Sequence, residues 1–145
     1  LTSFLAALPV TATNYGLIHG DFELDNLFWQ DGTLAMLDFD DCAYYWYVAD
    51  VAFALRDLFE TSVDLSHPSF SAFIRGYSEH ASLDDKLIAH LPTFMRLVNL
   101  IQYTKMVRAM DLVHDQDYPG WCTSLLLKLE NRVQSYKASL LSIPV

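Results

Sequence analysis

The chain is poor in basic residues, in cysteine and in long apolar runs, and each scarcity excludes a class of protein. Lys and Arg number 9 against 18 Asp and Glu, so the formal net charge is −9 at pH 7. This excludes the clustered basic face that nucleic-acid phosphates require. No apolar run reaches the roughly 20 residues of a membrane-spanning helix, and nothing resembles a signal peptide. The sequence therefore predicts a cytoplasmic protein without a nucleic-acid or membrane partner.

Cysteine is limited to Cys42 and Cys122, which form no CxxC pair and no disulfide framework. Two reduced thiols are the favoured interpretation, and a single long-range disulfide is the alternative. Hydrophobic residues make up 52% of the chain, charged residues make up 19%, and the mean hydropathy is +0.18. That composition excludes a disordered chain. It also predicts surface that contacts a partner or a missing neighbour. Because the chain opens on Leu1 without Met, we expect it to belong to something longer.

Acidic residues concentrate in "LIHGDFELDNLFWQDGTLAMLDFDDC", residues 17–42, where Asp and Glu alternate with Leu, Phe and Trp. Carboxylates held beside core-type residues need cations or hydrogen-bond donors, because an unpaired buried charge is costly. Asp31-Gly32 lies between two apolar stretches, which predicts a β-hairpin. The pattern thus indicates several acids gathered around a hairpin, where they need cations or hydrogen-bond donors as partners.

Beyond Tyr47 the apolar period changes from about two to about 3.6, which predicts helices. Pro68 and Pro92 mark helix starts, and Ser82 with Asp85 forms a candidate capping box. The fold class is therefore mostly α (α+β), with a small β element near the start. The first helical face is predicted to consist of Val48, Val51, Ala52, Leu55 and Phe59.

The acidic segment has a recognisable spacing: "HGDFELDN", then the hairpin, then "LDFD". It resembles the catalytic core of the aminoglycoside phosphotransferase and choline kinase family, whose members are small-molecule kinases with a protein-kinase-like fold. Asp38 and Asp50 also keep the family's twelve-residue separation between the metal-binding strand and the next helix. Downstream, "FIRGYSEHASLDDKLIAHLPTFMRLVNLIQY" resembles the helical subdomain of the bacterial members called homoserine-kinase-like.

The resemblance implies a role for each matched residue. Asp21 would be the catalytic base or would orient the substrate hydroxyl, and Asn26 and Asp38 would bind Mg²⁺ and, through it, the phosphates of ATP. Those roles agree with phosphoryl-transfer chemistry, in which a carboxylate orients the nucleophile and a hard cation with oxygen ligands neutralises phosphate charge. His19 would brace the loop. Asp50 would hydrogen-bond back to it, with a helix N-cap as the alternative.

Several nearby residues keep two interpretations. Asp40 could contact a second metal or be a solvated carboxylate, and no role is assigned to Asp41. Glu23 and Asp25 could contact substrate or only face water. The aromatic run at residues 44–47 could form a wall for a cationic substrate through cation–π attraction, but packing of half of it in the core is favoured.

The resemblance covers the C-terminal lobe of the family, so residues 1–145 are predicted to be that catalytic lobe. The family's N-terminal nucleotide lobe, with its phosphate-binding Lys, does not fit into "LTSFLAALPVTATNYGL". The predicted function is ATP-dependent phosphoryl transfer to a hydroxyl of an amino acid, amino alcohol or aminoglycoside, with little activity in this chain alone. An exposed apolar face would meet the missing lobe or favour homo-oligomers. The alternative is a pseudokinase-like binding or scaffold module.

Overall fold

The computed structural model of the protein describes residues 1–59, 63–111 and 119–142. The chain divides into two compact units, Leu1–Met95 and Arg96–Val145. The first unit contains every residue to which the sequence assigns a chemical role.

The first unit combines short strands with helices, as the fold class predicted. Its elements are α1 (Thr2–Ala7), β1 (Tyr15–Ile18), β2 (Leu27–Gln30), β3 (Thr33–Met36), β4 (Ala43–Trp46), α2 (Tyr47–Ala54), α3 (Pro68–Ser78) and α4 (Asp85–Ile88). Helix α5 (Leu91–Asp111) begins in the first unit and continues into the second, and α6 (Gly120–Ser142) belongs to the second.

Two antiparallel strand pairs form the β portion. Strands β2 and β3 make the predicted hairpin, in which Leu27 lies opposite Met36. Asp31 and Gly32 both have positive φ, at 50° and 77°, as a two-residue hairpin turn with the twist of the flanking strands requires. Strand β4 was not predicted and pairs with β1, so that residues 15–18 and 43–46 run side by side.

Helix α2 carries much of the core of the first unit. All five residues of its predicted apolar face are buried, although the helix ends at Ala54 and Leu55 and Phe59 follow it. Phe94, on α5, is fully buried, and its ring lies 6.3 Å from that of Trp46 and 6.1 Å from that of Phe4. The aromatic packing thus joins α1, β4 and α5 within this unit.

The helix starts agree with the proline predictions, but the capping box is wrong. Pro68 is the first residue of α3, and Pro92 is the second residue of α5. The box was expected to use Ser82, whereas the cap of α4 is Asp84, whose Oδ1 accepts a 2.9 Å hydrogen bond from the N–H of Lys86. The helix is a single turn that begins at Asp85, too late for a Ser82 cap to reach.

In the second unit, α6 buries Cys122 and Val133, and the Cys122 thiol is free, as is that of Cys42 in the first unit. The favoured prediction of two unpaired thiols is confirmed. Within the described ranges, no helix combines the length and apolar character that a membrane crossing requires.

Candidate active site

The candidate site begins in the loop that follows β1. Gly20 has a φ of 78°, a left-handed conformation that glycine adopts without steric cost. A Cβ at this position would lie 2.3 Å from the carbonyl oxygen of Asp41. Gly20 is therefore required both for the turn and for the close approach of the segment that follows Asp38.

Asp50 fixes the backbone of this loop. Its Oδ2 accepts a 3.1 Å hydrogen bond from the N–H of His19, and its Oδ1 accepts one of 3.0 Å from the N–H of Gly20. The N-cap of α2 is Trp46, so the capping alternative for Asp50 is wrong and the predicted hydrogen bond to the loop is confirmed. Such charge-assisted bonds contribute roughly 1.5–3 kcal/mol each.

His19 joins the loop to the strand that precedes Asp38. The side chain is buried, and its Nε2 lies 3.0 Å from the carbonyl oxygen of Leu37. Because a carbonyl can only accept, Nε2 carries the proton. The ring also contacts that of Phe39 at 4.8 Å. These contacts confirm the predicted bracing role.

Asn26 connects the other two candidate residues. It ends a 3-10 turn, Leu24–Asn26, and its Nδ2 donates a 2.8 Å hydrogen bond to the backbone carbonyl of Asp21. The backbone carbonyl of Asn26 accepts a 2.9 Å hydrogen bond from the backbone N–H of Leu37, the residue before Asp38. Asp21, Asn26 and Asp38 are thus brought together by the hairpin.

Asp38 lies at a strained backbone position. Its φ is 61°, which costs a residue with a side chain roughly 1–2 kcal/mol relative to the right-handed region. The Asp38 side chain is exposed, so packing in the core does not explain why this residue occupies a strained position. Backbone strain of this kind concentrates at functional sites, which agrees with a ligand role for this carboxylate.

Arg56 is the member of the site that the sequence interpretation missed. Its Nη1 lies 2.9 Å from Oδ1 of Asp21, and its Nη2 bonds to Glu23. Glu23 was expected to contact substrate or face water, and its ion pair with Arg56 corrects that expectation. A signal was present in the sequence, since Arg56 is the only Lys or Arg among the first 74 residues.

The aromatic run becomes progressively more buried along β4. Tyr44 is exposed and Trp46 is buried, with the Trp46 Nε1 donating a 3.0 Å hydrogen bond to the carbonyl of Pro9. Tyr45 and Tyr47 are half-buried, so the favoured prediction that half of the run packs in the core is confirmed in part. Asp25, Asp40 and Asp41 are exposed.

A cavity of about 720 Å³ lies on the apolar side of the loop. Its lining includes Phe22, Asp50, Tyr77 and His80, but not Asp21, Asn26 or Asp38. Burial raises the pKa of the Tyr77 hydroxyl above its usual value, and the Asp50 carboxylate raises it further. Tyr77 is therefore protonated near neutral pH.

The donor set fits a hard divalent cation that is shared with phosphate. No group of three or more His, Cys, Asp and Glu side chains gathers as a metal site within residues 1–59, 63–111 and 119–142. Asn26 and Asp38 offer an amide oxygen and a carboxylate. Mg²⁺ is commonly held by one or two protein ligands together with substrate phosphates and water, and the donor chemistry of this pair is compatible with that arrangement.

Three comparisons with known proteins show the family and the fold of the chain. The model of the family described as "Phosphotransferase enzyme family" matches residues 1–86. The amicoumacin kinase of Bacillus subtilis (strain 168) is 29% identical over 119 residues, which are 77% of this chain and 35% of that protein. The chain therefore spans about a third of the length of that curated relative.

A solved structure shows the same fold. It is described as an amicoumacin kinase in complex with AMP-PNP, Ca²⁺ and Ami, and it has a TM-score of 0.65 and 24% sequence identity over 95% of this chain and 42% of its own. The mostly helical architecture with its small strand pairs is thus part of a kinase-like fold, as predicted. Because the family model matches more than half of the chain, this protein belongs to the phosphotransferase enzyme family that includes the aminoglycoside phosphotransferases.

Proposed function

We propose that the full-length protein containing this chain transfers the γ-phosphoryl group of ATP to a hydroxyl of a small molecule. The observation that carries the proposal is the pair of hydrogen bonds that Asn26 makes. Its side chain binds the backbone of Asp21, and its carbonyl binds the N–H next to Asp38. These hydrogen bonds support a site at one end of the hairpin in which Asp21 would receive the acceptor and Asn26 and Asp38 would bind a cation.

Asp21 has the role of receiving the acceptor hydroxyl. The hydroxyl oxygen forms a bond to the γ-phosphorus while the bond between that phosphorus and the bridging oxygen of ADP breaks, and the hydroxyl proton passes to the Asp21 carboxylate. The loop around Asp21 is held by the side chains of Asp50 and Asn26. Catalysis of this transfer depends largely on positioning and charge stabilisation, so a prearranged loop suits it.

Asn26 and Asp38 would hold Mg²⁺. When it is bound, the ion would neutralise charge on the phosphate oxygens. The Asn26 amide nitrogen donates to Asp21, so Oδ1 is the atom of this side chain that can ligate a cation. The related structure contains AMP-PNP, an ATP analogue, together with Ca²⁺, which supports a nucleotide with a divalent cation.

The acceptor is proposed to carry an amine beside the hydroxyl, as an amino acid, an amino alcohol or an aminoglycoside does. Both relatives are called amicoumacin kinases, so amicoumacin is the first acceptor to test.

The direct test is product formation by the full-length protein and its Asp21→Asn variant. We expect the wild-type protein to phosphorylate an acceptor with Mg²⁺ and ATP, and the variant to lose at least about a hundredfold in kcat, because general acid–base and positioning contributions are of that size. Asp57→Asn, on the segment after α2, serves as the control. A variant at Asp21 with normal turnover would contradict the role of this carboxylate.

The alternative, a binding module without catalysis, draws on the apolar side chains of the hairpin. Phe28 is 53% exposed and Trp29 is 67% exposed. A protein that bound partners but showed no acceptor phosphorylation in the same assay would favour this alternative.

A further inference from the structure

We propose that Arg56 is a positioning residue for the phosphoryl transfer: its guanidinium holds the Asp21 carboxylate in the orientation that receives the acceptor hydroxyl, and Glu23 holds the guanidinium. The inference rests on the proposed function. It adds a positively charged side chain to a site for which the sequence predicted only a bound metal ion.

The Arg56 guanidinium joins two carboxylates. Nη1 of Arg56 donates to Oδ1 of Asp21 at 2.9 Å, and Nη2 donates to Oε2 of Glu23. The two donors belong to one planar guanidinium, so the separation of the two carboxylates is set by a rigid group. Lys cannot reproduce this, because its ammonium is a point charge on a flexible stem.

Arg56 acts on a part of the loop that the other braces do not reach. Asp50 binds the backbone N–H groups of His19 and Gly20, and Asn26 binds the backbone carbonyl of Asp21. Arg56 binds the carboxylate of Asp21 itself. The hydrogen bonds to the backbone do not restrict the side-chain rotamer of Asp21. The contact with the Arg56 guanidinium does restrict it.

Burial makes the contact specific. The Arg56 side chain is 13% exposed, and its Nε is buried without a hydrogen-bond partner among the residues that the structure describes. A guanidinium in such surroundings is costly unless it is paired. Its two carboxylate contacts therefore determine where the head group lies.

The consequence for catalysis follows from how steeply phosphoryl transfer depends on geometry. A misplacement of about 1 Å in a catalytic group can cost about a hundredfold in rate. Because both guanidinium contacts of Arg56 are to Asp21 and Glu23, and it is not one of the proposed metal ligands, its removal should lower kcat and leave nucleotide binding in place.

The test is steady-state kinetics of the full-length protein with Mg²⁺, ATP and amicoumacin or the acceptor found for the wild type. Rates are normalised to the fraction of protein that binds Mg²⁺–ATP. We expect Arg56→Met to lower kcat about a hundredfold, with the KM for ATP within about threefold of wild type. Arg56→Lys should recover part of the loss, and the exposed Arg75→Met should match wild type.

A second variant keeps the inference testable if Arg56→Met does not fold. Glu23→Gln retains the Asp21 contact but weakens the hold on the guanidinium, and we expect a kcat loss of about tenfold, since one charge-assisted hydrogen bond is weakened. An active wild-type protein with unchanged kcat in the Arg56 and Glu23 variants would overturn the positioning role alone. A parallel rise in the KM for ATP would also overturn it. A wild-type protein that phosphorylates no acceptor would contradict the proposed function, and the positioning role with it.

Discussion

At the scale of single residues, the left-handed backbone of Asp38 connects sequence, strain and chemistry. Two residues other than glycine have positive φ in the described part of the chain, Asp31 at 50° and Asp38 at 61°. Asp31 belongs to a hairpin turn whose geometry demands that conformation. Asp38 is not part of such a turn, and it is itself a proposed ligand of the cation. Its strain is therefore attributed to the position of its carboxylate.

This attribution predicts that Asp38→Gly stabilises the full-length protein. Glycine removes the roughly 1–2 kcal/mol cost of positive φ but adds roughly 0.5–1 kcal/mol of chain entropy, so the free energy of unfolding should rise by about 0.5 kcal/mol. Urea unfolding measures the change. Asp38→Ala removes the same carboxylate and retains a Cβ, so it should give no such gain. A glycine variant less stable than the alanine variant would contradict the strain argument.

At the scale of elements, α2 and the residues after it organise the catalytic loop. Asp50, in the first turn of the helix, binds the N–H groups of His19 and Gly20. Arg56, two residues beyond the helix end, binds Asp21 and Glu23. The buried apolar face of α2 anchors both side chains, so the packing of the helix determines the geometry of the loop.

We expect Asp50→Ala to lower the free energy of unfolding by about 3 kcal/mol, because two charge-assisted hydrogen bonds are lost and two backbone donors are left without their acceptor. Asp50→Asn keeps one acceptor oxygen and should lose about half as much. Urea unfolding gives the size of the loss, and faster amide exchange at residues 19 and 20 would locate it. Glu79→Ala, at the exposed end of α3, should change stability by less than about 0.5 kcal/mol. Equal effects at positions 50 and 79 would rule out the brace.

The sequence predicted those parts of the site that lie in local patterns. The spacing of His19, Asp21, Asn26 and Asp38 and the Asp31-Gly32 turn are short-range features, and the structure gathers those residues at the hairpin. Whether they perform the assigned chemistry stays a prediction.

The missed and mistaken features depend on long-range pairing or on where a short helix starts. Arg56 meets Asp21 across 35 residues and Glu23 across 33, and no periodicity reports such a pair. Strand β4 forms only because residues 15–18 lie beside it. The Ser82 cap was wrong because α4 is one turn long, which leaves helix periodicity too little sequence to mark its start.

At the scale of the whole molecule, the chain corresponds to part of a longer fold. It spans 35% of the curated relative and 42% of the related structure. The strands of the hairpin expose apolar side chains, among them Trp29 on β2 and Met36 on β3. The expectations that an N-terminal lobe covers such surface, that the isolated chain has little activity and that it associates stay predictions.

The central claim is that Asn26 and Asp38 form a divalent-cation site for a nucleotide in the full-length protein. Calorimetric titration of ATP with and without Mg²⁺ tests it most directly, with Asp38→Ala compared against Asp31→Ala on the same hairpin. The account predicts Mg²⁺-dependent binding that Asp38→Ala weakens by at least about tenfold, as loss of a charged ligand implies, and that Asp31→Ala retains. Nucleotide binding that is independent of Mg²⁺, or that is unchanged in Asp38→Ala, would contradict it.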